Sequence, residues 1–161
     1  ARTLNERFPG GPFRGHADLD RADALVRLGQ PREARKMLKG SPCEKTVRGQ
    51  WIAAESYLAE GAASEAIGAY EKVLLAREDL TGDWRVRVRL GLARGRALAG
   101  DADGAIADYR RAASASSVTL RGAELREKAR AELQEIIARR KAPTSAPSQP
   151  SPDLPDRGSH E

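Results

Sequence analysis

The amino-acid sequence predicts an all-α fold, and three observations support that prediction. Aromatic residues make up only 4% of the 161 residues, whereas the cores of β-sheets usually depend on aromatic and β-branched side chains. Alanine, leucine, arginine and glutamate are abundant instead, and all four are strong helix formers. Glycines and helix-capping residues divide the chain into segments of helical length. We therefore expect about seven helices joined by short turns.

The predicted helices follow from these breaks, taken in chain order. They cover residues 17–28, 32–38, 41–60, 63–77, a segment from 82 or 84 to about 99, and residues 102–114 and 120–140. The first two form a short pair hinged at Gly29-Gln30-Pro31, where a glycine stops one helix and a proline suits the first turn of the next. Gly61 and Gly100 are expected to stop the third and fifth helices.

Side chains that cap helices mark the other helix starts. Ser41-Pro42-Cys43-Glu44 has the form of a capping box, in which the serine hydroxyl accepts from the amide three residues later and the glutamate accepts from the serine amide. This places Cys43 in the first turn of the third helix, and as the single cysteine it cannot form an intrachain disulfide. Thr81 or Asp83 is expected to cap the fifth helix, and Asp101 the sixth.

The last predicted helix has one apolar face. The apolar residues recur every three or four positions, at Leu125, Ala129, Leu133, Ile136 and Ile137. Such spacing is typical of a helix that packs on a core through one side and exposes its charges on the other. We expect this helix to cap the end of the fold.

The two ends of the chain differ in composition from the middle. Residues 1–15 contain the breaker cluster Pro9-Gly10-Gly11-Pro12, which predicts a flexible N-terminal segment. Residues 142–161 are rich in proline and serine and too poor in apolar residues to offset the entropy of ordering, so a disordered tail is predicted there. Residues 16–141 are then a single helical domain, close to the usual size of one.

An internal repeat turns this prediction from a helical bundle into an array of helical hairpins. In three segments a glycine is followed five positions later by an alanine, and four positions after that by a large side chain. The three sets are Gly29, Ala34 and Leu38; Gly61, Ala66 and Tyr70; and Gly100, Ala105 and Tyr109. This spacing places the alanine where the two helices of a hairpin cross closely, and the larger side chain toward the next hairpin.

Residues 51–74 and 90–113 resemble tetratricopeptide repeats. Their second helices contain Glu-Ala-Ile-Gly-Ala-Tyr-Glu-Lys and Gly-Ala-Ile-Ala-Asp-Tyr-Arg-Arg, and the matching positions are Tyr57, Gly61, Ala66 and Tyr70 in one, and Gly100, Ala105, Tyr109 and Ala112 in the other. Arg96 stands where a tyrosine is usual. An earlier unit matches only at Leu25, Gly29, Ala34 and Leu38. The repeat interval departs from about 34 residues, since Ala34 and Ala66 are 32 apart and Ala66 and Ala105 are 39 apart.

The resemblance implies a right-handed solenoid whose concave surface, lined by the first helix of each unit, takes an extended peptide or a helix of a partner protein. On this chain the corresponding positions are His16, Asp20, Asp23, Arg27, Arg48, Trp51, Ile52, Glu55, Arg87, Leu90 and Arg94. That surface would be acidic at one end and basic at the other, with arginines able to pair with carboxylates of a partner. The Lys and Asn pattern with which the family holds a C-terminal carboxylate is missing.

The sequence gives no indication of catalysis. It contains no glycine-rich phosphate loop between a strand and a helix and no nucleophile elbow. His16 and His160 have no cysteine or carboxylate at the spacing of a zinc site. We therefore expect no enzyme activity, no cofactor and no metal. No stretch approaches the roughly 18 apolar residues that cross a bilayer, so no membrane span is expected either.

Three classes of function remain, in this order. The first is a protein-interaction or scaffold module that binds a partner peptide or helix. The second is a structural or self-association domain, whose groove is filled by Phe8 or Phe13 of the same chain or by another copy. The third is nucleic-acid binding through the arginine-rich fifth helix, which has arginines at 85, 87, 89, 94 and 96. For those arginines we expect mainly a solvated helix, and for Trp51 and Trp84 packing in the core or between repeats rather than a role as binding hot spots.

Net charge, the first residue and the ratio of arginine to lysine give only weak indications of partner, compartment and source. The formal charge of +5 is a mild excess, short of what a dedicated nucleic-acid-binding domain carries. The chain begins with Ala1 and has no signal-like apolar segment, so we expect a processed chain or an excised domain, either cytoplasmic or exported. The excess of arginine over lysine is typical of GC-rich bacteria, and a bacterial source is expected on that ground.

Overall fold

The computed structural model describes residues 14–76, 80, 82–116 and 119–141. Within these ranges the regular structure is entirely helical and consists of seven helices, which confirms the all-α class. They are α1 (Arg14–Arg27), α2 (Pro31–Leu38), α3 (Val47–Ala59), α4 (Ala63–Ala76), α5 (Gly82–Leu98), α6 (Ala102–Ser114) and α7 (Leu120–Lys141). None of them combines the length and the apolar character that crossing a membrane requires.

Most helix ends lie within one or two residues of the prediction. Gly29, Gly61 and Gly100 end helices with φ of +74°, +77° and +81°, a backbone conformation that favours glycine. Asp101 caps α6, its carboxylate accepting the amide of Gly104 at 2.9 Å. The flexible start is predicted for residues 1–15, but Arg14 and Gly15 belong to α1. Residues 1–13, the predicted disordered tail at 142–161 and Thr81 lie outside the described residues.

The start of α3 differs from the prediction. The helix begins at Val47, and its cap is Thr46, whose hydroxyl accepts the amide of Gly49 at 3.1 Å. The predicted capping box does not form, because the Ser41 hydroxyl is buried without a hydrogen-bond partner among the described residues. The carboxylate of Glu44 accepts the amide of Gly40 instead.

Contacts within residues 43–49 explain this shift. The Thr46 hydroxyl donates to the carbonyl oxygen of Cys43 at 2.7 Å, which folds residues 41–46 back onto the first turn of α3. The approach is so close that a Cβ on Gly49 would lie 2.0 Å from that oxygen. Cys43 therefore lies in the turn before the helix, where its buried thiol donates to the carbonyl of Gly15 at 3.2 Å.

Consecutive helices pack antiparallel. Gly91 of α5 lies against Tyr70 of α4, and Gly95, one turn later in α5, lies against Ile67, one turn earlier in α4. Residue numbers thus rise along α5 as they fall along α4, so the two helices are antiparallel. A side chain at position 91 would overlap the Tyr70 ring, since a Cβ there would lie 2.3 Å from Cζ. The missing side chain of Gly91 thus allows the buried tyrosine to fit between the two helices.

The odd-numbered helices α1, α3, α5 and α7 also contact one another in sequence. Between α5 and α7 the contacts are Asp83 with Thr119 and Arg94 with Glu132, separated by 36 and 38 positions. Because both numbers rise together, these helices run parallel. The contacts of α1 with α3, of α3 with α5 and of α5 with α7 place these four helices side by side on one face of the protein.

The apolar core lies in three successive clusters, each shared by three consecutive helices. The first joins α1, α2 and α3 through Leu19, Ala22, Ala34, Leu38, Cys43 and Ile52. The second joins α3, α4 and α5 through Ala54, Ala66, Tyr70, Val73, Leu80, Val88 and Leu92. The third joins α5, α6 and α7 through Val86, Leu90, Ala93, Ala105, Tyr109, Ala112 and Ala129. Each cluster thus draws its residues from helices that follow one another in the chain.

Candidate functional site

A cleft of about 350 Å³ opens on the face formed by the parallel helices. Its lining comes from all four of them: Asp23 and Arg27 of α1, Arg48 and Trp51 of α3, Asp83, Trp84 and Arg87 of α5, and Arg121 of α7. We refer to it as the tryptophan–arginine cleft. Its lining contains four arginines and two aspartates, together with both tryptophans of the chain.

Three aromatic and cationic side chains pack together in this cleft. The rings of Trp51 and Trp84 meet edge to face, with centroids 5.9 Å apart and planes inclined at 71°. The guanidinium carbon of Arg87 lies 5.6 Å from the centroid of Trp51 and 5.3 Å from that of Trp84. Both distances are within the range of a cation–π interaction. The two tryptophans therefore pack on each other between α3 and α5, and they also contact an arginine.

The negative charges of the cleft already have partners. Asp23 accepts from Arg27 at 2.8 Å. Asp83 accepts from the hydroxyl of Thr119, which lies 2.8 and 2.7 Å from its two carboxylate oxygens. Arg48 is bound by Asp20 at the edge of the cleft. The anionic groups are thus satisfied from within the chain.

Arg87 and Arg121 differ from the other two arginines, because neither has a carboxylate partner among the described residues. Burial, together with the nearby charge of Arg121, lowers the pKa of Arg87, against the opposite effect of Asp83 and Asp23. Arginine still stays protonated at neutral pH. Arg87 is half-buried, and this burial together with the neighbouring positive charge of Arg121 makes its own charge less favourable than it would be in water.

The structure brings five of the predicted groove residues together in the cleft. These are Asp23, Arg27, Arg48, Trp51 and Arg87. Asp20 lies beside them through its ion pair with Arg48. His16 borders a neighbouring, more apolar pocket that is lined also by Cys43 and Trp84. This part of the predicted surface is therefore contiguous.

Other predicted positions lie elsewhere. Leu90 is only 3% exposed and belongs to the core between α5 and α6, and Ile52 is fully buried. Both are corrections, because a side chain buried in the core does not present a surface to a partner. Glu55 accepts the hydroxyl of Tyr70 at 2.7 Å, and Arg94 binds Glu132. These two residues join helices of this chain to each other.

Sequence reasoning missed three residues of the cleft: Asp83, Trp84 and Arg121. Arg121 was missed because α7 was expected to serve only as a cap. A positional pattern does identify it, since Arg48, Asp83 and Arg121 are each the second residue of their helix. Parallel helices in similar register bring such equivalent positions to the same end of the face. Trp84 precedes Arg87 by three residues, which places both on one side of α5.

The arginines of α5 point to several different partners. Arg85 donates to the carbonyl of Leu80 at 2.6 Å. Arg89 and Arg96 both reach Asp108, a carboxylate that is fully buried. Arg87 contacts the two tryptophans of the cleft, and Arg94 donates to Glu132. The five arginines therefore do not form one continuous basic surface.

Among the described residues, no group of three or more His, Cys, Asp or Glu side chains is arranged to hold a metal ion. Comparison with protein-family models, with curated proteins and with solved structures finds no match to this chain.

Proposed function

We propose that this chain is a non-catalytic protein-interaction module that binds a segment of a partner protein in the tryptophan–arginine cleft. In this proposal the module is an array of helical hairpins similar to tetratricopeptide repeats. The observation that carries the proposal is the cleft itself. Four parallel helices each contribute side chains to it, and the chain places both of its tryptophans there.

Burial at equivalent positions supports the repeat part of the proposal. Ala34, Ala66 and Ala105, the alanines of the three repeated segments, are all 0% exposed. The larger residues four positions later, Leu38, Tyr70 and Tyr109, are also buried. Equal burial at equal spacing is expected where each hairpin packs on the next in the same way.

The register between parallel helices supports it too. Cys43 contacts Gly15, and Arg48 contacts Asp20, both pairs 28 positions apart. The corresponding offsets between α5 and α7 are 36 and 38. Within each pair of helices the offset is nearly constant, although it differs between the two pairs, and parallel neighbouring helices of a stacked array have offsets of this kind. The right-handed superhelix of the family is part of the same proposal.

The composition of the cleft supports the binding part. Tryptophan and arginine are the residues that most often contribute the largest share of binding energy at protein interfaces. The volume of about 350 Å³ is at the lower end of the range of roughly 300–1,000 Å³ for ligand sites. We therefore expect the cleft to take one or two anchoring side chains of a longer segment.

A selection from a phage-displayed library of random peptides tests this function. The immobilised protein is the wild type, and the recovered peptides are measured against Trp84→Ala and Arg121→Glu. Arg110→Glu is the control, because Arg110 is an exposed arginine on α6 outside the cleft. Circular dichroism and urea unfolding establish that all variants are folded.

We expect peptides that bind the wild type and Arg110→Glu, and that lose at least about tenfold in affinity, or about 1.4 kcal/mol, on the two cleft variants. Peptides that bind all four proteins equally would place the binding surface elsewhere. If no peptide is recovered and sedimentation shows a dimer that Arg121→Glu dissociates, self-association replaces partner binding as the function.

A further inference from the structure

The cleft has an excess of positive charge that its own carboxylates do not neutralise. Of its four arginines, Arg27 and Arg48 are held by aspartates, at Asp23 and Asp20. The remaining aspartate, Asp83, accepts from the Thr119 hydroxyl. Two guanidinium groups are left with no carboxylate of the described chain to neutralise them.

Arg87 is held in place without using its hydrogen-bond donors. Its guanidinium lies against the rings of Trp51 and Trp84, and a guanidinium that contacts aromatic rings can still donate five N–H groups from its edge. None of these donors has an acceptor among the described residues. Because two aromatic rings fix the group, less side-chain entropy is lost when a ligand binds to it. Arg121, which also lines the cleft and is exposed, adds a second set of donors.

We infer that the tryptophan–arginine cleft recognises an acidic side chain of the partner segment, whose carboxylate is bound by Arg87 and Arg121 while the neighbouring apolar part of the segment contacts Trp51 and Trp84. This inference rests on the proposed function and names the chemistry of the partner. Charge-assisted hydrogen bonds from arginine to carboxylate supply both strength and direction. A bound carboxylate also offsets the repulsion between Arg87 and Arg121.

The charges around the cleft favour a peptide over nucleic acid. Asp20, Asp23 and Asp83 lie among the arginines. A nucleic-acid backbone carries a phosphate at every nucleotide and binds through several cations along its length, so the aspartates among the arginines of the cleft disfavour it. A peptide with one or two acidic side chains needs only Arg87 and Arg121, the two arginines of the cleft that have no carboxylate partner among the described residues.

Tryptophan fluorescence measures this binding directly, because the only two tryptophans of the chain both line the cleft. The probe is a capped 12-residue peptide of glycine, serine and alanine with four glutamates, and its counterpart has glutamine at those four positions. A 12-nucleotide oligothymidine is the nucleic-acid probe. The proteins are the wild type, Arg87→Gln, Arg121→Gln and the control Arg110→Gln, each shown to be folded by circular dichroism and urea unfolding.

We expect the glutamate peptide to change the tryptophan emission and to bind at least about tenfold more tightly than the glutamine peptide. Arg87→Gln and Arg121→Gln each raise Kd about five- to tenfold, whereas Arg110→Gln changes it less than about twofold, since charge-assisted hydrogen bonds are lost only in the first two. Equal binding of the two peptides would overturn the inference. So would tighter binding of the oligothymidine than of the glutamate peptide.

The display selection separates failure of this inference from failure of the proposed function. Recovered peptides that depend on the cleft but carry no Asp or Glu would contradict acidic recognition and leave the interaction module standing. Recovered peptides that ignore the cleft would remove both. Cleft-dependent peptides enriched in Asp or Glu, with affinity lost on replacement by Asn or Gln, are the result that we expect.

Discussion

The guanidinium of Arg94 donates two hydrogen bonds to the carboxylate of Glu132, over 2.8 Å from Nε to Oε2 and 2.5 Å from Nη2 to Oε1. The hydroxyl of Tyr109 donates a third to the same carboxylate at 3.1 Å. The group therefore joins α5, α6 and α7. It holds the last helix beside the fifth, and so keeps Arg121 of α7 next to the tryptophans of the cleft.

Replacing Glu132 by Gln is expected to lower the free energy of unfolding by about 1–3 kcal/mol at neutral pH, the usual value of hydrogen bonds to a charged group. Burial disfavours the charged carboxylate, but the hydrogen bond and charge of Arg94 outweigh burial and lower the pKa of Glu132. Its stabilising effect is therefore complete above the pKa of the unfolded chain, about 4.3, and is lost as the pH falls through the lower pKa of the folded protein.

Urea unfolding of the wild type and Glu132→Gln at pH 7 and at successively lower pH checks this. The difference in free energy of unfolding between the two proteins should be largest at neutral pH and shrink in acid. A difference that is independent of pH, or that grows in acid, contradicts the assigned ion pair. The matched control is Glu127→Gln, an exposed glutamate on the same helix, which should change stability by less than about 0.5 kcal/mol.

Asp108 is expected to be the polar residue most sensitive to substitution. It is fully buried, and its oxygens lie 3.1 Å from Arg89, 2.8 Å from Arg96 and 3.3 Å from Arg111. Asp108→Asn keeps the shape but removes the charge and leaves arginines without their partner. We expect a loss of about 3 kcal/mol in the free energy of unfolding, as is usual when one member of a buried ion pair is removed.

The control for Asp108 is Arg111→Gln. Arg111 is 59% exposed, so water replaces its contact and the loss should stay below about 1 kcal/mol. Chemical unfolding of both variants measures the two losses in free energy of unfolding. If Asp108→Asn is as stable as the wild type, then the three arginines do not depend on the charge of this carboxylate.

Gly91→Ala should destabilise the protein, although alanine is normally the better helix former. A Cβ at this position would lie 2.3–2.5 Å from three atoms of the Tyr70 side chain, which is itself fully buried. Forcing these groups apart is expected to cost about 1–3 kcal/mol. Gly68→Ala is the control, since a Cβ at that position of α4 would have no neighbouring atom within 4 Å, and it should gain up to about 1 kcal/mol. Equal shifts in Tm for the two variants would contradict the close approach of α4 and α5.

The start of α3 can be tested with two substitutions that remove a hydroxyl. Thr46→Ala should lower the free energy of unfolding by about 1 kcal/mol, because the hydroxyl caps the helix at Gly49. Ser41→Ala should leave stability unchanged or slightly higher, because the Ser41 hydroxyl is buried without a hydrogen bond among the described residues. The reverse order of the two variants in urea unfolding would restore the capping box predicted at Ser41.

Local patterns in the sequence predict the helices well because they act over a few residues. Gly61 and Gly100 end helices, and Asp101 caps one, through contacts with their near neighbours alone. The start of α3 could not be predicted in the same way. It depends on the approach of the Cys43 carbonyl to Gly49, a contact of the folded turn that a capping pattern at Ser41 does not contain.

The cleft could be predicted only in part for a related reason. The repeat pattern places Trp51 and Arg87 on the first helices of their units, and the structure brings them together. Which face of α5 is buried depends on both of its neighbours, so Leu90 is packed in the core and Arg94 is bound to Glu132. Arg121 joins the site because α7 lies parallel to α5, an arrangement that follows from the stacking and not from the composition of α7.

The central claim is that a partner segment binds in the tryptophan–arginine cleft, and the indole N–H signals of Trp51 and Trp84 test it most directly. They are the only tryptophans of the chain, so a ¹⁵N-labelled sample shows two indole signals that can be followed by NMR as a selected peptide is added. We predict that both signals shift and that their titration curves give the same Kd as the bulk binding measurement. A peptide that saturates the protein while neither indole signal moves would contradict the claim.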